Sequence, residues 1–129
     1  MKRRVVAMGI MAVAILLGGA IPALASSAGL SGNLTRNAWV NYNTQRTITV
    51  AGTHIYVRKT DGPELDVKWR RCAGGAQGSP VRFQNADPTP RIRIGANFLA
   101  GTVFCLSAYS RGSNATDTWN GTVWWNVSS

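Results

Sequence analysis

The chain has 129 residues, with 14 Lys and Arg against 5 Asp and Glu, one His, two Cys and a net charge of +9. That length holds one domain with one modest core. So few acids and a single imidazole exclude most catalytic constellations, and one His with two paired cysteines cannot provide a zinc site of three or four protein ligands.

The first element is a leader. Lys2, Arg3 and Arg4 make a positive start, residues 5–21 carry no charge, and Ala23-Leu24-Ala25 puts small residues at the positions a signal peptidase reads. Residues 1–25 are therefore expected to be a cleaved signal peptide, and the protein to be secreted, starting at Ser26. The apolar run is short for a membrane anchor and is broken by Gly18, Gly19 and Pro22. No later segment is apolar enough to span a bilayer, and the residues flanking Arg3-Arg4 do not make a twin-arginine signal. Cleavage removes three basic residues and no acid, leaving +6 on about 104 residues. Two cysteines in an exported chain pair most simply with each other, so Cys72 and Cys105 are expected to form a disulfide.

Residues 26–37 are Ser, Gly, Asn and Thr with two isolated leucines, which reads as a flexible lead-in. From Trp39 onward short period-two segments alternate with turn residues, and no stretch of eleven residues has helical spacing. Strands are expected at 38–42, 47–50, 53–59, 65–71, 80–84, 91–94, 102–109 and 122–127. The clearest pair is 53–59 with 65–71, read as a hairpin that sets Val57 against Val67 and Ile55 against Trp69 on one face, and Arg58 against Asp66 on the other. Seven or eight short strands over residues 38–129 predict an all-β fold, a small antiparallel β-sandwich, with a small barrel as the other arrangement of the same strands.

Residues 100–105 (Ala-Gly-Thr-Val-Phe-Cys) resemble the approach to the second cysteine of an immunoglobulin domain. However, Trp69 precedes Cys72, the cysteines are close in sequence, and Val103 stands where that family has its corner tyrosine. Parity sets Cys72 with Asp66, Lys68 and Arg70, and Cys105 opposite Phe104, Leu106 and Ala108. The disulfide is thus expected at a strand end or on an outer face.

No nucleophile elbow, phosphate loop, dinucleotide fingerprint or nucleic-acid motif occurs, and no cofactor is implied. His54 and Glu64 are the one pair that could act as acid and base on a phosphodiester. In the hairpin register they stand roughly 16 Å apart, too far for concerted proton transfer, and His54 reads as a solvent-facing strand residue. Asp61, Glu64 and Asp66 around Gly62-Pro63 could gather oxygens for calcium, but their spacing matches no EF-hand. A plain turn with Asp66 paired to Arg58 is the simpler account.

Five tryptophans and three tyrosines are many for this length. Parity turns Trp69 and Trp125 inward and Trp124 and Tyr56 outward, and leaves Trp39 open. Outward positions also carry Arg58, Lys68, Arg70, Arg91 and Arg93 with few acids to balance them, a pattern suited to an anionic surface. These features predict a non-enzymatic module that binds an anionic or carbohydrate polymer, such as a cell-surface component, through Trp124, Tyr56, Trp39, Arg58, Arg70, Arg91 and Arg93 on one sheet face. The alternative is a secreted effector, a hydrolase inhibitor or antimicrobial toxin, acting through exposed loops at 74–79 and 110–120.

Overall fold

A computed structural model describes residues 25–129; residues 1–24, and with them the expected leader, lie outside the described residues. The described residues form nine strands: β1 (Ser26–Thr35), β2 (Trp39–Asn41), β3 (Arg46–Thr47), β4 (Thr53–Asp61), β5 (Leu65–Arg71), β6 (Val81–Phe83), β7 (Ile92–Phe98), β8 (Val103–Ser110) and β9 (Thr116–Val127). They build the predicted all-β sandwich. Sheet A has the order β1-β9-β4-β7, and sheet B the order β2-β8-β5-β6, with β3 also pairing β8. Every named pairing is antiparallel.

Period-two alternation sends one set of side chains from each layer into a shared core. Ile55 and Val57 of β4 and Trp119 and Val123 of β9 come from sheet A; Leu65 and Val67 of β5 and Phe104, Leu106 and Ala108 of β8 come from sheet B. The disulfide joins Cys72, just past β5, to Cys105, which alternates with the inward residues of β8. It therefore lies at a strand end and on the outer side of sheet B, as parity requires.

The two strands 53–59 and 65–71 exist, but they do not pair with each other. β4 bonds to β7 and β9 in sheet A, and β5 bonds to β6 and β8 in sheet B. The link between them, Gly62-Pro63-Glu64, passes from one layer to the other. A hairpin and an arch of this kind bury the same alternate residues, so the shared parity of Ile55, Val57, Leu65 and Val67 fits both. Two features hold the arch: Gly62 has φ 126°, and the fully buried Lys59 amine donates to the Gly62 carbonyl at 2.7 Å and to Asp87 at 2.9 Å. The ion pair with Asp87 also ties down the 84–90 segment, whose Thr89 exchanges hydrogen bonds with the Lys59 backbone. A lysine removed from water is tolerated because its charge is paired and its donors are used.

The expected lead-in is also corrected. Residues 26–35 are β1, which pairs along its full length with β9, Ser26 opposite Trp125 and Thr35 opposite Thr116. Ala28, Leu30 and Leu34 reach the core from alternate positions, while Ser27, Gly29, Ser31 and Asn33 face out. The composition hides this strand because its outward residues are small and polar, and because its order is supplied by the backbone of β9.

Asp66 turns out not to pair with Arg58. It sits under Arg82 and Arg111, with Arg82 Nε donating at 2.7 Å and Arg111 Nε at 3.0 Å, while Arg82 also reaches Glu64. Burial pushes the Asp66 carboxyl upward, yet the hydrogen bonds and charges of Arg111 and Arg82 outweigh it and hold the group below its ordinary value. A folded-state pKa below the unfolded one gives stability that is complete above about pH 4 and is lost as pH falls through the lower, folded value. Thermal melts of Asp66→Asn should therefore show a shallower loss of stability below pH 4 than wild type. Parallel acid profiles would refute this.

Candidate binding site

Five of the predicted residues meet on the outer face of sheet A. Register sets Tyr56 of β4 between Trp124 of β9 and Arg93 of β7, so the three form one row across the sheet. The next row holds Thr122 of β9 and Arg58 of β4, followed on the far side by Arg91, one residue before β7. The Arg91 guanidinium lies 4.3 Å from the centre of the Tyr56 ring and 5.3 Å from that of Trp124, covering both aromatics. Arg58 Nε donates to the Thr89 carbonyl at 3.1 Å, which props the guanidinium at the edge of the same patch. Tyr56 and Trp124 are half-buried, and the three arginines are exposed.

Among the described residues the ion pairs are Lys59–Asp87, Arg82 with Glu64 and Asp66, and Arg111–Asp66. Arg58, Arg91 and Arg93 take part in none of them. Beside the patch, Ser27, Gly29 and Ser31 of β1 and Asn120 and Thr122 of β9 face outward in register. They make a flat polar floor of small side chains continuous with the aromatic row.

Trp39 and Arg70 are not part of this face. They lie on the outer side of sheet B, across the sandwich, so the expectation of one shared sheet face is corrected. Trp39 is 36% exposed, tilts against Tyr109 with ring centres 5.4 Å apart, and carries the Lys68 amine 4.1 Å from its ring centre. Arg70 donates to Ser107 Oγ and to the Tyr42 and Cys72 carbonyls, which makes it a brace between β5, β8 and the segment after β2. The sequence could not separate the faces, because placing two strands in one hairpin also places their outward residues on one surface.

Other sequence expectations need adjusting. His54 is buried, with Nδ1 accepting a hydrogen bond from the Asn97 backbone at 3.2 Å, and is not the solvent-facing residue that alternation suggested. β7 carries a β-bulge at Ala96 and Asn97, opposite His54, and Asn97 adopts φ 57° there. Of the two loops, residues 74–79 do lie outside any strand and are mostly exposed, whereas most of 110–120 is strand: β8 runs to Ser110 and β9 starts at Thr116. Trp69 and Trp125 face the core but are half-buried. The fully buried tryptophan is Trp119, which the strand reading starting at 122 left out.

Comparison of the chain with protein-family models finds no match, and a search of curated proteins finds none either.

Proposed function

We propose that the protein is an exported, non-enzymatic binding module whose sheet A outer face holds an anionic or carbohydrate polymer. The observation that carries this reading is the cluster of Tyr56 and Trp124 under Arg91, with Arg58 and Arg93 beside them and, among the described residues, no carboxylate pairing any of the three. Flat aromatic faces suit stacking against sugar rings, and the guanidinium forks suit carboxylate, sulfate or phosphate groups spaced along a chain. An extended polymer could continue over the small polar side chains of β1 and β9 without a steric barrier. Arg91 covers the rings in the free protein, so a stacked ligand either displaces it or is sandwiched beneath it.

The test is retention on insoluble cell wall, chitin and cellulose, and on a soluble polyuronate, measured across salt. Trp124→Ala should melt within a few degrees of wild type and bind at least tenfold more weakly. Arg58→Gln and Arg93→Gln should each flatten the salt dependence, since exposed charge contacts are screened. Unchanged retention in Trp124→Ala and in the double arginine variant would reject the face as the binding surface.

A further inference from the structure

The second site lies at the open edge of the sandwich, between β1 of sheet A and the segment that joins β2 to β3 of sheet B. A cleft of about 90 Å³ is lined there by Leu30, Tyr42, Thr44, Arg46, Leu106 and Trp119, with Gly29 and Ser31 contributing to the β1 wall. That is room for several waters or for one small polar group.

Arg46 pairs with Phe104 in the β3–β8 register, so its side chain is directed to the inner side of sheet B instead of to solvent. Its guanidinium is half-buried, 5.7 Å from the centre of the Trp125 ring, and burial lowers its hold on the proton. Among the described residues it makes no salt bridge and no side-chain hydrogen bond within the protein. Tyr42 cannot balance the charge. Its hydroxyl accepts from Trp119 Nε1 at 2.9 Å and donates to the Asn33 carbonyl at 2.8 Å, and burial holds the phenol neutral. No acid lines the cleft. A partly desolvated cation that faces a cavity with no acid in its lining gains by pairing with an anion that enters it.

We propose that this cleft binds a single oxyanion group, a carboxylate or a phosphate, through the fork of Arg46, with the Thr44 hydroxyl at its mouth. The site is distinct from the Trp124 face, because Arg46 belongs to sheet B, although Gly29 and Ser31 of β1 border both. It stands whether or not that face binds a polymer.

The experiment titrates the folded protein with sodium acetate and with inorganic phosphate, each against sodium chloride at matched ionic strength. The readouts are the indole N–H resonances of Trp119 and Trp125. A saturable shift at millimolar acetate or phosphate, absent with chloride, is the expected result, and which probe gives it distinguishes carboxylate from phosphate. Arg46→Gln should weaken that binding at least tenfold, and Trp124→Ala should leave it unchanged. Should Arg46→Gln fail to fold, Arg46→Lys keeps the charge without the planar fork and should weaken binding at least threefold. Shifts that match chloride, or that persist undiminished in the Arg46 variant that folds, overturn the site and leave Arg46 as an inward charge that keeps a sheet edge from pairing with other chains.

Discussion

Trp119→Ala should cost about 3–5 kcal/mol and leave the domain at the limit of folding, the largest effect of any tryptophan replacement in this chain. Trp119 is 2% exposed, stacks at a tilt on Tyr42 with ring centres 6.5 Å apart, and donates its indole N–H to the Tyr42 hydroxyl. Truncation empties a space the size of an indole. It also removes a hydrogen bond that ties β9 to the chain following β2. Trp125→Ala should cost clearly less, since that ring is half-buried and meets Phe104 edge-on at 6.2 Å, with the Arg46 guanidinium 5.7 Å from its centre. Trp124→Ala should cost least. Denaturant titrations of the three variants rank them directly, and a larger loss for Trp125→Ala than for Trp119→Ala would show that the packing of β9 is misassigned.

Loss of the disulfide comes next in size. Cys72 and Cys105 are 33 positions apart, and the chain-entropy treatment assigns a loop of that length about 3.5–4 kcal/mol. A domain of this size has about 5–15 kcal/mol in all. The double Cys72→Ala, Cys105→Ala variant is the cleaner probe than serine, because Cys105 is buried and a serine hydroxyl there would need a new partner. Its denaturation midpoint should fall by about a quarter to four fifths at 25 °C. The same fall should follow reduction of the wild type. An unchanged midpoint under reductant would mean that sheet B holds its pairing without the cross-link.

The sandwich was legible because inward residues repeat at period two in most strands, and because outward charge marks the other face. The partnering of strands was not. Parity states which side of a strand is buried, and it is silent on whether the next strand lies beside it or across the core, so β4 and β5 read equally well as a hairpin or as an arch. The aromatic and arginine residues of the site were visible as outward positions, yet their division between two faces depends on that undetermined partnering. Trp119 was missed for a local reason. Asn120-Gly121 is a strong turn signal, but here the strand runs straight through it. Gly121 is needed instead for closeness: a Cβ would strike the Arg58 carbonyl of β4 and press on the Trp119 ring. Extending the alternation back from Val123 would have found Trp119, had the glycine been read as a point of contact.

The topology of sheet A also sets the order in which this protein can fold. β9 lies between β1 and β4, and Ser26 is bonded in register to Trp125, near the other end of the chain. At a synthesis rate of about 5–20 residues per second, the first strand waits on the order of 5–20 s for its partner to exist. Until then Leu30 and Leu34 have no sheet to complete, and the polar, glycine-containing composition of β1 keeps that waiting segment soluble. Sheet B, whose β5 and β6 are near neighbours in the chain, can begin pairing earlier. Sheet A can be completed only when β9 enters between β1 and the β4–β7 pair.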